Sequence, residues 1–173
     1  MKIIINESQL RLIVENENKD ENLINLTGVY ESGVSPNKWD DMFEHINNKK
    51  GGKYDGYYID GDVFLNKPKI PELKYLVRVG NYLEFSNTPI KSLPMLEYVG
   101  GSLFFVSTQI DSLPMLTEVG NNLALFKSKI ESLPMLTEVG GYLDLRGTPL
   151  SKTTTEKELR KQINVGGEIF LWR

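Results

Sequence analysis

The sequence predicts an α/β solenoid with one parallel β-sheet of about six strands, non-helical return segments and a small α/β cap at the N-terminus. Three observations predict it. The nonapeptide SLPMLTEVG occurs at Ser112–Gly120 and again at Ser132–Gly140, and a near copy, SLPMLEYVG, stands at Ser92–Gly100, so one unit is rewritten every twenty residues. Each unit holds Leu-x-Leu or Leu-x-Phe, which puts two apolar side chains on one face of a strand and the residue between them on the other. Each return then holds Leu-Pro, and proline fixes φ and removes a donor, so a full helix does not fit there. A fixed period of roughly 20 to 29 residues marks a stack of units that each supply one strand and pack on their neighbours.

Taken in order, residues 1–60 form the N-terminal cap. IIINESQLRLIVENE reads as a short strand and then a helix capped by Asn6 or Ser8, with Leu10, Ile13 and Val14 on one side. SPNKWDDMFEHINNKKGG reads as a second helix, with Ser35 as its cap, Pro36 at the first helical position and Gly51 or Gly52 ending it. Trp39, Met42, Phe43 and Ile46 share a face of that helix and are expected to pack on the core. YDGYYIDGDVFL leads into the first repeat strand.

Residues 61–150 are the repeats. Shifting the chain by twenty aligns Val79, Val99, Val119 and Val139, each followed by a glycine, and then Leu83, Leu103, Leu123 and Leu143. Thr88, Thr108, Ser128 and Thr148 form a polar column where the chain leaves the strand. A hydroxyl there can bond the next coil or act as a small polar filler. Val-Gly-Gly marks the bend into each strand, where glycine tolerates positive φ or close packing. A degenerate copy precedes the array (Val63, Leu65, Ile70, Pro71, Leu76), and VGGEIFLWR closes it after a 26-residue step. Strands are therefore expected near residues 64, 84, 104, 124, 144 and 170.

Residues 151–173 form the C-terminal cap. TTTEKELRKQI replaces the Leu-Pro return with a helical turn or two, and Thr153 and Glu156 have capping-box spacing. The strand Ile169–Trp172 is expected at the sheet edge with nothing covering it, which invites pairing with another chain.

These columns resemble leucine-rich repeats of the shortest kind, L-x-L-x-x-(N/T)-x-L-x-x-L-P, as in bacterial type III effectors. They are closer still to the LP-x-x-L-x-x-VGG-x-L-x-L-x-x-T-x-I-x-S arrays of phage and bacterial proteins. The match covers residues 61–150 and the last nine. It implies a leucine-rich-repeat solenoid that binds proteins. The usual asparagine at the strand exit is Thr or Ser here, with Asn only at Asn87, one residue earlier.

Composition narrows the function. The 173 residues are 40% hydrophobic and 25% charged, which suits one domain with a real core. Residues 1–60 carry 7 Lys/Arg against 11 Asp/Glu, residues 61–150 carry 8 against 9, and the tail from 151 carries 5 against 3. No segment has the dense basic surface that nucleic acid requires. The chain has no cysteine, so disulfides and thiolate chemistry are excluded. The opening MKIIINESQL lacks the apolar run of a signal peptide and nothing approaches a membrane span, so a cytoplasmic location (the host cytoplasm if phage-encoded) and no membrane partner are expected.

Catalytic and metal constellations are sparse. His45 is the only histidine, and with Asp41 it offers two ligands without an evident third. Asp55, Asp60 and Asp62 lack the spacing of a calcium loop. KKGGKY lacks the phosphate-loop pattern. Neither an enzyme nor a cofactor is expected.

A binding surface is expected instead. With Leu-x-Leu facing the core, the alternate positions lie on the outer, concave side. They include Phe64, Tyr82, Glu84, Phe104, Val106, Phe126, Tyr142, Asp144, Arg146, Phe170 and Trp172. Seven of the eighteen alternate positions are aromatic in a chain that is 10% aromatic. A strand spacing of about 4.8 Å would join them in a patch some 25 Å across. Aromatic residues and arginine carry interface energy, so the expected partner is another protein. The alternative reading is a structural or virion-associated component that self-associates through Ile169–Trp172 or through the caps.

Overall fold

The computed structural model describes residues 22–31, 33–65 and 70–171. In chain order the strand β1 (Leu23–Asn25), helix α1 (Thr27–Glu31) and helix α2 (Trp39–Lys49, entered through a 3-10 turn at Pro36–Lys38) form the front. Then come β2 (Gly56–Ile59), β3 (Val63–Phe64), β4 (Leu76–Val79), β5 (Leu83–Glu84), β6 (Tyr98–Val99) and β7 (Leu103–Phe104). They are followed by β8 (Glu118–Val119), β9 (Leu123–Ala124), β10 (Glu138–Val139) and β11 (Leu143–Asp144). Helices α3 (Leu150–Thr153) and α4 (Glu156–Gln162) and strands β12 (Asn164–Val165) and β13 (Ile169–Phe170) complete the chain. The strand and helix expected before residue 22, and Trp172, lie outside the described residues.

All the strand pairs are parallel, and the six strands expected from Leu-x-Leu are β3, β5, β7, β9, β11 and β13, in one sheet in that order. The chain also builds a second, seven-stranded parallel sheet, in the order β1-β2-β4-β6-β8-β10-β12. It arises because the residues just before each column glycine (Tyr98–Val99, Glu118–Val119, Glu138–Val139) run extended and stack in register. Each coil therefore turns from one sheet to the other at Val-Gly-Gly. The cap strands β1 and β2 extend the second sheet forward, so the cap and the repeats share one hydrogen-bonded ladder.

The core lies between the sheets and the return segments. Leu83, Leu103, Leu123 and Leu143 have no exposed surface, nor do Phe85, Phe105, Leu125 and Leu145. The valine column and Ile90, Ile110 and Ile130 complete the filling. At the front, Trp39, Met42, Phe43 and Ile46 are buried against the first coils, as their spacing predicts. The Trp39 indole donates to the Val34 carbonyl at 3.0 Å. Ser35 precedes the 3-10 turn with Pro36 at its start, but its side chain makes no capping bond; Gly51 and Gly52, with φ of 78° and 74°, end the helix. At the back, the capping box is Thr155–Glu158 rather than Thr153–Glu156, because α3 ends at Thr153 and the chain must re-enter a helix from the extended Thr155.

The Thr/Ser column closes on its own coil, not on the next. Thr88 donates to the Phe85 carbonyl at 2.6 Å and Thr148 to the Leu145 carbonyl at 2.7 Å, which satisfies a buried hydroxyl within a tight turn. The residue before it holds the left-handed conformation: Asn87, Ser107 and Lys127 have φ of 56–57° and Gly147 has 75°. That is the strand-exit position where asparagine or glycine fits without strain.

Close packing, not positive φ, explains the first glycine of Val-Gly-Gly. A Cβ on Gly100, Gly120, Gly140 or Gly166 would land on the carbonyl oxygen of the glycine one coil earlier. The second position accepts asparagine at Asn81 and Asn121, over which Gly101 and Gly141 stack. Coil-to-coil amide bonds run down the same column: Gly120 donates to Val99, Gly140 to Val119 and Gly166 to Val139, at 2.8–3.0 Å.

The last coil ends this column with a side chain. Arg160 of α4 donates from Nη1 to the Val165 carbonyl and from Nη2 to the Gly167 carbonyl, both at 2.9 Å, while its Nε bonds Glu156. One coil earlier the matching carbonyls, of Val139 and Gly141, accept the amides of Gly166 and Gly167. The guanidinium fork thus stands in for the two amides of a further coil. Among the described residues no helix is long and apolar enough to cross a membrane.

The cap is tied on by Asp40. Its Oδ1 accepts from the Tyr57 hydroxyl at 2.9 Å and its Oδ2 from the Lys74 amide at 2.7 Å. Burial raises its pKa above the ordinary carboxylate value, against the lowering effect of those two donors.

Two predictions follow from this packing. Gly120→Ala should cost about 3 kcal/mol of unfolding free energy, because the obstacle is backbone, whereas Asn121→Ala should cost under about 1 kcal/mol; equal losses in urea titrations would refute the packing argument. For Asp40 the raised pKa means that the charged form is disfavoured on folding. Its contribution is fully present in acid and is lost as pH rises through the folded pKa. Asp40→Asn, which does not titrate, should therefore gain stability relative to the parent between acid and neutral pH. Denaturation midpoints of both proteins at the two ends of that range check this, and a constant difference would overturn it.

Candidate functional site

The outer face of the six-stranded sheet is built by the period-2 alternation of each strand. In register, Phe64, Glu84, Phe104, Ala124, Asp144 and Phe170 form the middle row. Two residues earlier run Asp62, Tyr82, Ser102, Asn122, Tyr142 and Glu168. Two later, the described members include Val106, Phe126 and Arg146. The positions expected to form one patch are thus brought to one side, Trp172 lying outside the described residues.

The first row is braced by side chains that reach to the next coil's backbone. Asp62 accepts the Tyr82 amide at 3.1 Å, Ser102 the Asn122 amide at 3.2 Å, and Asn122 the Tyr142 amide at 3.1 Å. These short polar residues fix the strand start on which each aromatic is mounted. Sequence reading places them on the face without finding this role, since an amide acceptor looks like any other surface Asp, Ser or Asn.

The aromatics form two groups. In the first, Phe64 stacks on Tyr82 at 5.9 Å between ring centres and Tyr82 on Phe104 at 5.4 Å, with interplanar angles of 29° and 28°. Tyr82 sits diagonally between its partners, within reach of rings on neighbouring strands. Rings stacked along the solenoid turn their edges outward, and Phe64, at the end of the run, is 48% exposed.

The second group surrounds Arg146. Its guanidinium lies 5.5 Å from the centre of Phe126 and 5.2 Å from that of Phe170, and Tyr142 meets Phe170 edge-on at 5.9 Å. Asp144 holds the guanidinium by two bonds, Nε to Oδ1 at 2.9 Å and Nη2 to Oδ2 at 2.6 Å, and accepts the Arg146 amide at 3.0 Å. Asp144 is itself 6% exposed, so it orients Arg146 while the arginine and the rings face outward. The Lys127 ammonium adds a second cation, 4.9 Å over Phe126. Lys127 is not legible as part of the face, because it stands at the strand exit, outside the alternate positions that point outward.

Between the groups lie Ser102 and Ala124, almost without exposed surface. Their neighbours close over them, so the face is one layer and not two separate ridges. The Tyr142 phenol is raised in pKa mainly by burial, then by the Asp144 carboxylate and the Tyr82 hydroxyl, with Arg146 opposing. Glu84 and Val106 are half-buried within the layer. The arrangement can stack on, and donate from a fixed guanidinium to, an apolar and polar protein surface.

A second concavity was not anticipated. On the outer side of the seven-stranded sheet, Leu23, Val77 and Met95 floor a cleft of about 500 Å³ whose rim carries Asp55, Arg78 and Glu97. The cleft includes Val77, the residue skipped where Tyr57 pairs with Leu76 but Tyr58 pairs with Arg78, and nothing in the repeat pattern announces this bulge. His45 and Asp41 lie on α2, and among the described residues no three metal-ligating side chains converge.

Comparison of this chain with protein-family models, with curated proteins and with solved structures finds no match.

Proposed function

We propose that this chain is a non-enzymatic protein-interaction module that binds a partner protein through the outer face of its Leu-x-Leu sheet, in the cytoplasm. If it is phage-encoded, the partner is a host protein. The observation that carries the reading is the aromatic layer with its anchored arginine. Six aromatic side chains are held on one side of a rigid sheet, and Asp144 is spent on aiming Arg146 outward. Oriented aromatics and arginine at the centre of a patch are where interface energy concentrates. Their rigidity lowers the entropy lost on docking.

The repeat column supplies the scaffold, and the varied stretches GSLFFVSTQI, NNLALFKSKI and GYLDLRGTPL supply the recognition. A second reading, an assembly component that associates with itself, draws on the sheet edge at β13 and is developed below.

Replacing Phe104, Phe126 and Tyr142 together by Ala should leave the far-UV circular dichroism spectrum in place. It should cut capture of the partner from a lysate of the native cell by more than tenfold, since each such residue commonly contributes over about 1 kcal/mol. Undiminished capture by a folded variant would remove the face from consideration.

A further inference from the structure

The ends of a stacked sheet expose rows of unpaired backbone groups, and this chain treats its ends unequally. At the front, β1 is nearly without exposure, with Leu23, Ile24 and Asn25 at 9%, 1% and 8%. The front of the other sheet is plugged, for the Phe64 amide donates to the Tyr30 hydroxyl at 3.1 Å. At the back, Arg160 takes the carbonyls of Val165 and Gly167 beside β12. The back edge at β13 has no such plug among the described residues. Ile169, Phe170 and Leu171 are half-exposed there, although Ile169 and Leu171 pack against the core.

The preceding coils show which groups this edge offers. Leu143 and Leu145 donate their amides outward, to the carbonyls of Glu168 and Phe170. Ile169 and Leu171 occupy the equivalent places in the last coil, so their amides and carbonyls point away from β11. Phe170 turns its backbone groups inward and its ring to the outer face.

We infer that β13 is a self-association edge, at which a second copy of this chain adds its own β13 in antiparallel orientation about a two-fold axis through Phe170. The hydrogen-bond pattern selects this occupant. With Phe170 on the axis, Ile169 stands opposite Leu171 of the second copy. The amide and carbonyl of each bond those of the other, giving four bonds that use every outward group of the two residues. The inward side chains Ile169 and Leu171, half-exposed in the single chain, are then covered by those of the second copy. The two Phe170 rings meet on the outer face, and the two aromatic layers become continuous. Head-to-tail stacking is closed off by Tyr30 and Arg160, so the contact is isologous and stops at a dimer. The antiparallel arrangement sets the two α4 helices at opposite ends of the shared sheet, where they do not meet.

Sedimentation of this chain from micromolar to near-millimolar concentration tests this without any partner protein, and so independently of the function proposed above. The parent should pass from monomer to dimer and no further. Leu171→Pro removes an outward amide without touching a bond inside the solenoid. Phe170→Glu places two like charges on the axis beside Arg146, which can accommodate one within each chain. Both variants should unfold as cooperatively as the parent and remain monomeric over the whole range. A parent that stays monomeric overturns the inference, as does one that forms open-ended assemblies. Dimers that persist in the two folded variants also overturn it, and so does a monomeric parent whose edge is instead occupied by an added peptide of apolar-x-apolar pattern.

Discussion

Backbone touches backbone between every two coils at the first glycine of Val-Gly-Gly, and the rest of the molecule is arranged around that distance. The carbonyl of one glycine fills the space where the next would carry a Cβ. The approach lets the amide of each glycine reach the valine carbonyl one coil earlier, which holds the second sheet together and sets the spacing of the first. With the spacing fixed, Leu-x-Leu side chains of successive coils meet in register and fill the core without gaps. On the opposite side the same spacing brings rings on neighbouring strands to stacking distance. Core and surface are thus two readings of a single backbone contact.

Much of this was legible in the text of the chain. The period gives the number of coils, Leu-x-Leu the positions of the six strands, and the spacing of Trp39, Met42, Phe43 and Ile46 the buried face of α2. The second sheet was hidden because its strands in the later coils, β6, β8, β10 and β12, are two residues long and show no alternation to read; only stacking makes them strands. The hydroxyl column could be placed but not its partner, since Thr88 can turn to its own coil or the next, and the tight exit turn decides for its own. The capping box fell to Thr155 rather than Thr153 because both have glutamate three residues on, and spacing alone cannot choose. For the outer face, identity and side were readable. The anchoring of Arg146 by Asp144 was not, because a local Asp-x-Arg pair looks the same whether it is splayed or closed.

The two ends show how a repeat stops. A coil offers its successor a fixed pair of carbonyls, and a flat fork of donors at the right separation satisfies them as well as two amides do. Arginine has that fork and lysine has not, which is why the device is built on Arg160, with Glu156 holding it flat on the helix. Tyr30 serves the front with one hydroxyl, which accepts the Phe64 amide. Both devices sit on helices that the repeat itself does not contain, so each cap combines coverage of the core with chemical termination of the ladder.

A chain whose units are nearly interchangeable has an alignment problem during folding: a coil that skips its neighbour meets the same leucines, valine and glycine one unit further on. The residue after each column glycine breaks this degeneracy. It reads Asn81, Gly101, Asn121, Gly141, so that every asparagine lies next to a glycine. Looping out one unit would set Asn121 directly on Asn81, where a side chain already occupies the space that Gly101 leaves open. From Asn81 to Gly141 the column has a period of two units where the core has one, and only the last step, Gly141 to Gly167, sets glycine on glycine. That doubled period works as a parity check on the stacking order, written in the positions the core cannot sense.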